Sequence, residues 1–177
     1  MPIYPTKTVD YNFDNPACYS GSGTTVYDLQ GNLNLNFVGT PTFTSSPTGN
    51  GSYFSFLASN VTTNYLASAF SPTLSGAFNF SFSVCIRAKN LPVINVSYCG
   101  LNSDNYSGPN SARIGSVVSS GNKWYASIGF AGENITPTPL VLDEWVVVTT
   151  TSDYTNNQIK TYINGTLVKT DPFAYGS

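Results

Sequence analysis

Acids, bases, nucleophiles and metal ligands are scarce in this sequence, and those present are badly spaced for chemistry. The 177 residues include no histidine and only two glutamates, Glu133 and Glu144, which fall in different segments. Hydrolysis of a glycosidic bond needs two carboxyl groups flanking that bond, one to donate a proton and one to act as nucleophile or base. No acidic alternation along a strand-like stretch supplies such a pair, and Glu144, in "LDEW", reads as the tip of a strand. Without histidine a Ser–His–Asp relay cannot form, and no serine occupies a G-x-S-x-G turn. No catalytic residues are expected, and the chain is read as a non-enzyme.

Binding chemistry is better represented. The segment "NSDNYSGPN" carries Asn102, Asp104, Asn105 and Asn110, oxygen ligands of the kind calcium collects, but the spacing matches no EF-hand loop. A solvated loop held by Asn and Asp side-chain turns is the simpler reading. No metal or other cofactor is therefore expected; were calcium bound, Asn102, Asp104 and Asn110 would be its ligands. Sugar rings stack on aromatic faces. Trp124 and Trp145 lie inside strand patterns and read as core, whereas Tyr106 and Tyr154 lie in loops and, with Asn105, are the candidate ligand-binding residues. The three cysteines, Cys18, Cys85 and Cys99, leave at least one thiol unpaired. Buried reduced thiols are the default, with a Cys85–Cys99 bridge left open because it requires a Cα separation under about 7 Å.

The elements that would position these residues are strands. In "AFNFSFSVCIRA", Phe78, Phe80, Phe82, Val84, Ile86 and Ala88 alternate with polar residues and Cys85, and a period of two sends the apolar set to one side of a sheet. "KWYASIGF" repeats the pattern, with Trp124, Ala126, Ile128 and Phe130 on one side and Lys123, Tyr125, Ser127 and Gly129 on the other. "SYFSFLAS" and "EWVVVTTT" suit a pleated surface. Asn164-Gly165, between "QIKTYI" and "TLVKT", marks a hairpin with a type I′ turn. Gly-, Pro-, Ser- and Asn-rich stretches at 41–52, 71–76, 102–111 and 133–139 read as loops, and no segment has a helical period. The expectation is an all-β fold, an antiparallel β-sandwich or jelly roll, with residues 1–8 as an extended arm and 9–177 as one domain.

Composition narrows the partners. A hydrophobic content of 41% with 14% aromatic residues is enough for a packed core, so the low charged fraction of 9% does not signal disorder. A net charge of −2, with scattered basic residues, argues against nucleic acid, which needs clustered Lys and Arg. No apolar run approaches the roughly 18 residues that would span a bilayer, so no membrane insertion is expected, and the first residues lack the pattern of a Sec signal.

Four segments in order, "NPACYSGSGTTVYDLQGNLN" (15–34), "GSYFSF" (51–56), "FSFSVCIRA" (80–88) and "DEWVVVTTTSDYTNNQIKTYINGTLVKT" (143–170), resemble the concanavalin A-like lectin/glucanase superfamily, specifically the laminin-G-like modules of phage and bacterial surface proteins. The resemblance implies two antiparallel sheets packed face to face, with loops that bind sugars and sometimes calcium. It makes residues 15–32 the decorated turn after the first strand, where Gly21, Gly23 and Gly31 free the backbone and Asp28 accepts backbone hydrogen bonds. Leu57-Ala58 stands where such modules often have Asp-Gly, Asn64 where an Asp is common and Cys85 where a Trp is frequent, which weighs against a family-type calcium site. The modules continue past the "YINGTLV" hairpin by at least one strand. A fragment of a longer protein, or a sheet completed by a neighbouring chain, is thus expected.

On function, the resemblance implies a virion structural protein made in a host cytoplasm: a fibre, head-decoration or minor capsid component. Its partners would be other virion proteins, copies of itself or host-surface glycans. The alternatives are a carbohydrate-binding adhesion module of a larger cell-surface protein and, least favoured, a glucanase-like enzyme.

Overall fold

The computed structural model of the chain describes residues 9–46, 51–56, 65–68, 79–92, 96–101, 112–128, 134–153 and 155–172. Among them the fold is all-β, with antiparallel sheets and no helix. The residues form two compact units, 1–71 and 72–177. The arm assigned to residues 1–8 lies outside the described residues, as does Phe78.

The first unit contains β1 (Thr25–Val26), β2 (Leu35–Val38), β3 (Thr42–Thr44), β4 (Tyr53–Ser55) and β5 (Tyr65–Ala67). The order β1-β2-β5 makes one small antiparallel sheet, and β3 and β4 pair separately with Phe43 opposite Phe54. These strands are too short to be stable alone. What holds them is a core of Cys18, Tyr19 and Val26, against which Phe13, Phe37, Phe43 and Phe54 pack. The rings meet mostly edge to face or tilted, with centroids 4.8 Å apart for Tyr19–Phe43 and 5.0 Å for Phe13–Phe54, the geometry that the ring quadrupoles favour.

The second unit contains β6 (Phe80–Arg87), β7 (Val96–Leu101), β8 (Ala112–Val117), β9 (Lys123–Ile128), β10 (Asn134–Pro139), β11 (Trp145–Asp153), β12 (Gln158–Ile163) and β13 (Thr166–Pro172). They form two four-stranded antiparallel sheets, β10-β9-β8-β7 and β13-β12-β11-β6. One apolar cluster takes Ile114 and Trp124 from the first sheet and Val146, Val148, Phe82, Val84 and Ile86 from the second. Two sheets sharing a single filling are consistent with a β-sandwich. Lys169, projecting from β13, donates to the Ile135 carbonyl on β10 at 3.0 Å.

The alternation expected for β6 is present: Phe80, Phe82, Val84 and Ile86 are half-buried while Ser81, Ser83 and Cys85 are exposed. The hairpin between β12 and β13 turns at Asn164-Gly165 with φ of 49° and 79°, both positive as a type I′ turn requires. Asn164 also ties the turn to β11, since its Oδ1 accepts the Val147 N–H at 2.8 Å.

Four expectations need correcting, the first being the loop at 41–52, within which residues 42–44 form strand β3. Residues 134–139 form strand β10 rather than a loop; Pro137 and Pro139 are tolerated because β10 is an edge strand with a register shift between Ile135 and Pro139. The two sides read for β9 are compatible with the structure, and both are buried, since Tyr125 and Ser127 are as inaccessible as Trp124 and Ala126. Trp145 is not core: the β-branched Val146 and Val148 take the inward register of β11, so a period of two turns Trp145 outward, where it is 41% exposed. Cys85 is exposed on β6 rather than buried, for the same reason of parity, and all three cysteines are free thiols. The turn at 15–32 itself contains β1.

Candidate functional site

The six candidate residues taken from the sequence, Asn102, Asp104, Asn105, Tyr106, Asn110 and Tyr154, all lie outside the described residues. Among the described residues, three features could bear function: a turn, a pocket and a sheet face.

The turn is organised by Asp28, which is buried. Its Oδ1 accepts the N–H groups of Asp10 (2.7 Å) and Gln30 (3.0 Å), and its Oδ2 those of Asn32 (2.9 Å) and Leu33 (3.1 Å). Asn34 Oδ1 in turn accepts the Asp28 N–H at 3.0 Å. Burial raises the Asp28 pKa, but the four N–H donors together outweigh it and leave the carboxyl below its ordinary value. With four donors on two oxygens, the carboxylate has little capacity left for a ligand. Its role is structural, as the sequence indicated. Earlier in the turn, Gly21 and Gly23 have φ of 89° and 87°, values that residues other than glycine rarely adopt.

The pocket lies in the first unit, between this turn and the β3–β4 hairpin. It is an open concavity of about 360 Å³ whose lining includes Phe13, Asp14, Tyr19, Ser20, Phe43 and Ser45. Asp14 Oδ1 accepts the Ser52 N–H at 2.5 Å, so the carboxylate is oriented by the hairpin. Nothing in the sequence marks these residues as neighbours, because they come from three segments brought together by the aromatic core.

The face is the outer side of the β13-β12-β11-β6 sheet. Cross-strand register puts Arg87 opposite Trp145, Cys85 opposite Val147 and Ser83 opposite Thr149, and Tyr162 opposite both Thr149 and Leu167. The Arg87 guanidinium lies 5.1 Å from the centre of the Trp145 indole, a cation–π contact. Ser83 and Thr149 hydroxyls meet at 2.8 Å. Asp153, at the far end, is engaged by Asn156 and Lys160. Trp145, Val147 and Leu167 are each at least 40% exposed, so apolar and hydroxyl groups share one broad surface.

No family model, curated protein or solved structure matches this chain. The chemistry must be argued from the residues alone. Among the described residues no three His, Cys, Asp or Glu side chains converge as a metal site, and no helix is long and apolar enough to cross a membrane. Glu144 is exposed immediately before β11, where the sequence put it. Cys99 is a poor nucleophile, because burial pushes its thiol up to about 11. Burial likewise raises Cys18 and Cys85.

The exposed Trp145 could have been found by counting parity along "EWVVVTTTSD". With Val146, Val148, Thr150 and Ser152 inward, every odd-numbered residue from 145 to 153 must face out.

Proposed function

We propose that the chain is a non-enzymatic structural protein of a virus particle, a fibre, head-decoration or minor capsid component, working through a concanavalin A-like, laminin-G-like jelly roll. It acts by contact, with neighbouring copies or other virion proteins and with glycans on a host surface. The observation that carries this reading is the outer face of the β13-β12-β11-β6 sheet, which presents Trp145, Val147, Tyr162 and Leu167 among serines and threonines. Such a surface suits recognition, since aromatic residues and Arg are enriched at interface cores and charges are depleted there. The four segments that resemble laminin-G-like modules support the same reading.

Particles purified from the source and analysed by mass spectrometry should contain this chain at a fixed ratio to the major coat protein. Trp145→Ser should lower its incorporation at least fivefold while the isolated protein keeps its melting temperature. Recovery of the chain only in a cell envelope fraction would overturn the virion reading in favour of an adhesion module.

A further inference from the structure

We infer that the pocket beside the first turn is a saccharide subsite that takes a single neutral hexose ring. The inference rests on the glycan-binding part of the function proposed above and gives it a location in the first unit. Phe13 and Phe43 are half-buried and line the pocket, with Tyr19 beneath them. Tyr19 is held in place by its hydroxyl, which donates to the Gly23 carbonyl at 3.0 Å. Gly21 has φ of +89° and comes so near Phe43 that an added Cβ would lie 3.8 Å from its ring. These rings offer apolar surface to the C–H face of a pyranose.

The polar groups are placed to read hydroxyls. Among the described residues Asp14 is the only charged one lining the pocket. One of its oxygens is fixed by the Ser52 N–H; the other accepts no hydrogen bond from the described residues and can accept from two adjacent sugar hydroxyls. Ser20 and Ser45, both exposed, add groups that donate or accept. The concavity is open and exposes more polar than apolar surface, which suits a polyol, and about 360 Å³ is near the low end of small-molecule sites. That volume suits one ring rather than an extended chain.

Charge then selects the ligand class. A carboxylate with no cation among the described lining residues opposes sialic or uronic acids and sulfated sugars through like-charge repulsion. It favours a neutral hexose. The open shape predicts weak binding by a single site, with useful strength arising when many copies present the pocket together on one particle.

The test uses the full chain and methyl hexopyranosides of the gluco, galacto and manno series, followed by saturation-transfer NMR. At least one should show saturation of its ring C–H protons at millimolar concentration, while methyl glucuronide should show at least tenfold less. Ser45→Trp, which places an indole in the mouth, should abolish the signal without changing the circular-dichroism spectrum. Asp14→Asn should weaken it at least fivefold. Undiminished transfer in both variants would overturn the pocket while leaving glycan binding to another surface. Absence of transfer from every neutral hexoside, with full-length glycans still bound on an array, would also overturn the pocket alone. Absence of both would remove the pocket and the glycan-binding part of the proposed function together, leaving assembly.

Discussion

Asp28 shows how one side chain can define a turn that contains almost no regular structure. Its four N–H donors come from residues 10, 30, 32 and 33, so it closes two loops of backbone at once. Asp28→Asn replaces one acceptor by an NH₂ group that faces N–H donors, and should cost roughly 2–4 kcal/mol in urea denaturation at pH 7. The pH dependence has a definite sign. Because the folded chain holds this carboxyl below its ordinary value of 3.8, its contribution is complete above that pH and is lost as pH falls through the folded-state pKa. The gap between wild type and Asp28→Asn should therefore narrow below about pH 3.8. An unchanged gap at pH 3 would mean that the carboxylate charge contributes nothing. Asp28 was legible as a turn acceptor through the resemblance of its segment to a laminin-G-like turn. Asp14 was not, since its importance comes from Phe43 and Ser52, residues distant in sequence.

At the scale of elements, what could be read in advance was whatever depends on period and local turn chemistry. The alternation of β6 and the Asn164-Gly165 hairpin are of this kind. Strands β7 and β8 are not legible in advance because "VSYCGL" and "ARIGSV" carry glycine and a weak period, and only the pairing of β8 with β9 and of β7 with β8 makes them strands. Two substitutions test these elements. In the hairpin, Gly165 has φ of +79° with nothing within 4 Å of an added Cβ. Gly165→Ala should thus cost about 1 kcal/mol from backbone strain alone, seen as a lower urea midpoint with an unchanged slope. In β11, the inward set runs Val146, Val148, Thr150, Ser152. Thr150 is fully buried and its Oγ1 has no hydrogen-bond partner among the described residues. Thr150→Val removes an unsatisfied hydroxyl while keeping shape, and should raise stability by roughly 1 kcal/mol. A loss of stability would show that the hydroxyl is satisfied in solution.

For the whole molecule, the division into residues 1–71 and 72–177 means that stability need not be uniform. Among the described residues the first unit's core buries Cys18, Tyr19 and Val26, whereas the second buries Ala88, Ile114, Trp124, Leu140, Val146 and Val148. Apolar burial is the main stabilising term, so the first unit should open at lower denaturant. The cysteines report on this separately: Cys18 is in the first core, while Cys85 and Cys99 are in the second unit. In the native protein at pH 8, a maleimide should label Cys85 first, because it alone is exposed. As urea increases, Cys18 should become labelled before Cys99, each site being followed by peptide mass spectrometry. Simultaneous labelling of Cys18 and Cys99 at one urea concentration would show a single cooperative transition, and the two cores would then be parts of one folding unit.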